Sequence, residues 1–182
     1  VQFVKARWAA RSWVTVLMAA LLVVASGMMT ALPSQAASET GSYYQNRYYG
    51  GCLRAIGAGA NAAVNEGCTL TDGELSDRWT TISRGKSPSN HSLIQLKNVR
   101  YGTCLDSNAT NTGAAWIRGC NQGEYQMWEV FVTTVNGAKK YTFKSWGAWT
   151  LQGRHRCLTT TGEWAQEVLA ECHADQAQQQ WQ

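Results

Sequence analysis

The chain has 182 residues, a formal charge of +4 and only 15% charged side chains. Three of its basic residues, Lys5, Arg7 and Arg11, fall in the first eleven positions, so the remainder carries about +1, which excludes the basic face that nucleic acid requires. Lys139-Lys140 is the one adjacent basic pair left, and it reads as the solvated flank of a hairpin.

The first segment has the parts of a secretory signal peptide: the basic stretch Lys5 to Arg11, an apolar run from Trp13 to Ala25, then Pro33 and the small-residue site Ser34-Gln35-Ala36. Cleavage after Ala36 is expected. That assigns 1–36 to the signal, 37–42 to a loose arm and 43–182 to one domain, secreted to the extracellular space with no membrane segment left. An uncleaved anchor is the alternative, because the apolar character trails on to Leu32.

All six cysteines lie beyond that site, and in an exported chain they favour disulfides over metal or redox chemistry. They fall into three local pairs, Cys52 with Cys68, Cys104 with Cys120 and Cys157 with Cys172, separated by 16, 16 and 15 residues. Each first cysteine precedes a leucine, and each unit closes on a tryptophan: Trp79, Trp128 and Trp181. Two of these close the triplets Gln126-Met127-Trp128 and Gln179-Gln180-Trp181, where the first unit has Asp77-Arg78-Trp79. Upstream, Asn46-x-x-Tyr49-Gly50-x-Cys52-Leu53 matches Asn98-x-x-Tyr101-Gly102-x-Cys104-Leu105, and the third unit keeps only Gly153 nearby. The chain is therefore a threefold repeat, with units at about 43–84, 91–135 and 140–182.

Within the units the signals are those of short strands, and no helical period is sustained. Ser92 to Lys97 alternates as a half-buried strand does. Trp128 to Val135 and Lys140 to Ser145 flank Asn136-Gly137, a hairpin turn signal because both residues tolerate positive φ. Arg84 to Asn90, polar and holding Pro88, reads as an inter-repeat loop. Asp72-Gly73-Glu74 with Asp77 reads as an acidic surface loop rather than a calcium site or glycosidase pair. Three units are too few for a propeller.

Cys-Leu-Asp, a second cysteine and then Gln-x-Trp resembles the ricin-type lectin repeat. The likeness covers roughly Tyr43 to Gln182 and is sharpest in the second repeat, from Cys104-Leu105-Asp106 to Gln126-x-Trp128. The resemblance implies an all-β fold, a β-trefoil of about twelve short strands with pseudo-threefold symmetry and one disulfide per repeat. It implies carbohydrate as the partner, no cofactor, no metal and no catalysis.

A sugar site needs a carboxylate or amide to bridge vicinal hydroxyls and an aromatic ring to cover the C–H face. By that resemblance Asp106 supplies the carboxylate, Trp116 the ring, and Gln126 either holds Asp106 or touches a hydroxyl, with Asn121 and Tyr125 as lesser contacts. Glu124-Tyr125 stands where the family often has Asn, so the last hydrogen bond departs from the pattern. Arg54 and Thr159 replace the aspartate in the first and third repeats, and Trp164 lies eight residues before Cys172 where Trp116 lies four before Cys120. His91, His155 and His173 fall in three contexts with no nucleophile motif. The competing expectation is a non-sugar interaction protein, such as a toxin accessory subunit or a trefoil inhibitor of a secreted hydrolase.

Overall fold

The computed structural model describes residues 41–59, 62–64, 67–68, 75–107 and 113–182. The expected signal 1–36, most of the arm 37–42 and the acidic residues Asp72 to Glu74 lie outside them. Ten strands are defined: β1 Leu53–Ala55, β2 Ala62–Val64, β3 Trp79–Lys86, β4 Ser92–Asn98, β5 Cys104–Asp106, β6 Trp116–Arg118, β7 Trp128–Val135, β8 Ala138–Ser145, β9 Arg156–Thr159 and β10 Val168–Glu171. All pairings are antiparallel, and β1–β2, β5–β6 and β9–β10 are the same hairpin in successive repeats. The longer hairpins β3–β4 and β7–β8 join one repeat to the next. The disulfides are Cys52–Cys68, Cys104–Cys120 and Cys157–Cys172, one per repeat. The fold is a β-trefoil.

The recurring residues hold matching places. Leu53, Leu105 and Leu158, each after a first cysteine, are fully buried with Trp79, Trp128 and Trp181 in one core. The indole Nε1 of Trp79 donates to the Leu53 carbonyl at 2.8 Å, and that of Trp128 to the Leu105 carbonyl at 3.2 Å. Trp181 Nε1 finds no such partner. A buried tryptophan removes roughly 200 Å² from water, about 5 kcal/mol before entropy is subtracted. Each disulfide closes a loop worth about 3 kcal/mol in the chain-entropy view.

The repeats meet in a closed ring of backbone hydrogen bonds. Ala62 N–H donates to the Ala115 carbonyl (3.4 Å), Ala115 N–H to Glu167 (2.9 Å), and Glu167 N–H to Ala62 (2.9 Å). Two positions carry alanine and the third a fully buried glutamate.

The Asn-x-x-Tyr-Gly motif is a turn that locks onto a neighbouring repeat. Asn46 Oδ1 accepts from the Tyr48 and Tyr49 amides while its Nδ2 donates to the Gln178 carbonyl. Asn98 repeats this, accepting from the Tyr101 amide and donating to the Ser76 carbonyl. Gly50 and Gly102, at φ 72° and 63°, close the two turns where a side chain would be strained. In the third repeat Ser145 stands opposite Trp128 as Asn98 stands opposite Trp79. Between Ser145 and Cys157 lies one helix, α1 Trp146–Gln152, capped by the Ser145 hydroxyl on the Ala148 amide and ended by Gly153 in the left-handed region. That insertion is why the motif is illegible there.

Four expectations are corrected. A helix exists, though the seven residues of α1 are too few to show a period. β3 runs through Arg84 to Lys86, with an irregularity after Ser83, so the inter-repeat loop is shorter than expected. Lys140 is not solvated: it is buried, with its ammonium on the Gln182 side chain. Asp77 is likewise buried beside Arg78 rather than part of an exposed acidic loop.

Candidate functional site

The second repeat places Asp106, at the end of β5, directly opposite Trp116, at the start of β6. Residues paired this way share a face of the sheet, with Cβ atoms about 5 Å apart. Ala115 and Ile117 flank Trp116 and point into the core, so alternation turns Trp116 the other way, onto the side of Asp106. Trp116 is half-buried, and its Nε1 is a buried donor with no acceptor. Residues 108–112, which join the two strands, lie outside the described residues.

Asp106 is only 7% exposed, and its Oδ2 accepts from Gln126 Nε2 at 3.1 Å. Gln126 is fully buried and its hydrogen-bonding capacity is filled. Nε2 also donates to the Gly119 carbonyl (2.9 Å), while Oε1 accepts from the Asn121 amide (2.9 Å) and from Gln95 Nε2 (2.8 Å). An amide side chain has two donors and two acceptor sites, so Gln126 positions Asp106 and has nothing left for a ligand. Gln179 grips the third disulfide the same way, accepting from the His173 amide and donating to the Glu171 carbonyl, the residues on either side of Cys172. The glutamine of Gln-x-Trp is thus a clamp on the second cysteine.

Asn121 is exposed, and its Oδ1 accepts from the Gly123 amide at 2.7 Å. Tyr125 is half-buried; its carbonyl accepts from both the amide and the hydroxyl of Ser107. Its ring lies against Gly147 of α1, where an added Cβ would come within 2.6 Å of Cδ1, and its hydroxyl meets Gln152 Nε2 at 3.3 Å. Tyr125 therefore docks the helix that sequence reasoning missed, beside the site.

The corresponding positions of the other repeats differ. Arg54 faces Ala63 and lies 5.9 Å from the Trp164 ring centre. Thr159 faces Val168, and its hydroxyl donates to the Cys157 carbonyl at 2.9 Å. Trp164, 57% exposed and at φ 57°, is not opposite Thr159. Among the described residues, only repeat 2 sets a carboxylate against an aromatic ring across this hairpin.

The histidines do not stay in three contexts. His91 packs on Phe131 with ring centres 4.3 Å apart, His155 packs on Trp149 at the same distance, and His155 and His173 line one cavity with Phe131. Among the described residues no three His, Cys, Asp or Glu side chains are placed to hold a metal ion. No helix among them is long and apolar enough to cross a membrane.

No family model and no curated protein matches the chain. Solved structures do. A designed threefold-symmetric protein, ThreeFoil, aligns with TM-score 0.56 at 18% identity, over 76% of this chain and 95% of its own. The GlcNAcα1-4Gal-releasing endo-β-galactosidase of Clostridium perfringens aligns with TM-score 0.56 at 18% identity, over 78% of this chain but 32% of its own. A Polyporus squamosus lectin, solved with the epitope Neu5Acα2-6Galβ1-4GlcNAc, gives TM-score 0.51 at 18% identity, over 79% of this chain and 48% of its own. The chain thus spans under half the length of the last two. At these identities the likeness establishes the β-trefoil fold.

Proposed function

We propose that the chain is a secreted, non-enzymatic carbohydrate-binding β-trefoil whose second repeat holds the sugar, exported by a signal at 1–36 that is then removed. The observation that carries this reading is the pairing of Asp106 with Trp116 across β5 and β6. A carboxylate accepts hydrogen bonds from two neighbouring hydroxyls while a ring beside it covers the C–H face. Gln126 fixes the carboxylate's orientation before a ligand arrives, which reduces the ordering cost of binding. Trp116 Nε1, buried without an acceptor, supplies a donor to a hydroxyl, and Asn121 and Tyr125 form the rim. The aligned parts of the lectin and of the endo-β-galactosidase described above share this fold, and both are named for glycans, which supports the same class of partner here.

A single site of this kind binds a monosaccharide with a Kd on the order of millimolar, about −4 kcal/mol. The test is a glycan array followed by calorimetry on the best hit. Asp106→Ala should abolish binding at the second repeat, and Trp116→Ala should weaken it there with the circular dichroism spectrum unchanged. Arg54→Ala and Thr159→Ala should bind as wild type does. A folded Asp106→Ala protein whose second repeat binds as before would refute the assignment. A folded wild type that binds no glycan would favour the second reading, a protein-interaction module. That reading draws on the low exposure of Asp106 and on the surface aromatics Tyr48 and Trp164, which are 59% and 57% exposed.

A further inference from the structure

We infer that a second carbohydrate site, independent of the second-repeat position, lies on the outer face of β7–β8 beside the Cys157–Cys172 disulfide, and that it takes an uncharged sugar. A cavity of about 550 Å³ opens there, within the roughly 300–1,000 Å³ of small-molecule sites. It is built by register. Glu129 stands opposite Lys144 and Phe131 opposite Thr142, with Thr133 two residues further on, so these side chains share one face of the hairpin. The start of β9 and the end of β10 close the other side with His155, Glu171 and His173.

Each charge here has an opposite charge as its cross-strand neighbour. Lys144, whose side chain is 10% exposed, donates to Glu129 Oε2 at 3.0 Å. Glu171 stands directly opposite Arg156 across β9–β10. A net-charged ligand finds no unbalanced opposite charge, whereas a polyol finds donors and acceptors of both kinds. The Thr133 and Thr142 hydroxyls and the His155 and His173 rings both give and accept hydrogen bonds, the Lys144 ammonium donates, and Glu171 accepts. The floor between these groups is apolar: Phe131, the disulfide and Ala174. Trp149, 39% exposed, lies 4.8 Å from Lys144 Nζ and packs on His155, extending the aromatic wall. An apolar floor ringed by short-range polar groups matches the C–H face and hydroxyl edge of a pyranose.

The test is an amide-shift titration of the ¹⁵N-labelled protein with methyl β-galactoside, methyl α-glucoside and N-acetylglucosamine, each to about 50 mM, since millimolar affinity is expected. At least one sugar should move the amides of Thr133, Thr142 and Ala174, and Asp106→Ala should leave those shifts unchanged. Glu171→Gln and His173→Ala, both at exposed residues, should each weaken this binding about tenfold, the worth of one hydrogen bond to a charged or polar partner. No movement at these amides with any of the three sugars overturns the inference, as do shifts that survive both substitutions. Binding of glucuronic acid with none of the neutral sugars would overturn the uncharged class. Failure of the second-repeat reading is seen separately, as still amides at Asp106 and Ile117.

Discussion

Gln126 and Asp106 meet side chain to side chain at 3.1 Å inside the second repeat, and the same amide nitrogen holds the Gly119 carbonyl just ahead of Cys120. The carboxylate that faces Trp116 is thereby tied to the disulfide. Gln126→Glu would set two carboxylates against each other and take both donors away. It should cost about 3 kcal/mol, the range for leaving buried polar groups unpaired, measured by urea unfolding. Gln179→Glu lacks the facing carboxylate and should cost less. Equal losses would show that the Asp106 contact adds nothing to the clamp.

Glu167 is the pseudo-symmetry outlier, an acid where two repeats carry alanine. Burial pushes its carboxyl well above the ordinary value of 4.5, and the Thr160 side chain only partly opposes this. A folded-state pKa above the unfolded one means that the stabilising contribution is complete below pH 4.5 and is lost as pH rises through the raised value. Glu167→Gln should therefore gain on wild type in melting temperature progressively above about pH 4.5. A constant difference from pH 4 to 8 would contradict the burial argument.

Glu129 has the opposite sign. Burial works to raise its pKa, but the Ser87 hydroxyl, the Lys144 ammonium and His91 together outweigh it and leave the pKa below 4.5. Its contribution is present above the unfolded pKa and lost as pH falls through the lowered value. Lys144→Met, which leaves the carboxylate only the Ser87 hydroxyl and His91, should cost about 1–3 kcal/mol at pH 7, and Glu129→Leu added to it should recover most of that. The double variant decides the matter; if it is no more stable than the single, the loss comes from packing and not from charge.

Gly147→Ala tests the docking of α1. Its Cβ would meet Tyr125 Cδ1 at 2.6 Å and the Tyr125 amide nitrogen at 2.8 Å, and backbone does not yield as a flexible side-chain end would. Overpacking of this kind costs about 1–3 kcal/mol. The substitution should also weaken any ligand of the second repeat, because Tyr125 carries the carbonyl that binds Ser107, the neighbour of Asp106. Wild-type stability and affinity in this variant would detach the helix from the site.

What was legible in the sequence was local chemistry. The cysteine pairs, the leucines beside them, the closing tryptophans and the Asn136-Gly137 hairpin all declare themselves within a few residues, and their resemblance to the ricin-type repeat implied the trefoil. α1 could not be read, because its seven residues are held by a Ser145 cap and a Tyr125 contact rather than by a long apolar stripe. That Gln126 is saturated depends on Gln95, a strand of the preceding hairpin. The burial of Asp77 and Lys140 and the gathering of the three histidines are likewise tertiary facts with no neighbour in the sequence to announce them. For the site, Asp106 and Trp116 were named from the resemblance alone, and only the strand register sets them opposite each other, while Tyr125 proved to be packed against a helix.

The ring of hydrogen bonds through Ala62, Ala115 and Glu167 has one contributor from each third of the domain, and every contributor both gives and receives. A ring has no end from which to fray. Opening any one third breaks two of the three links at once, so a single unit cut from the chain inherits a donor and an acceptor with nothing to meet, and the triplicated sequence should melt as one cooperative body rather than as three modules in a row.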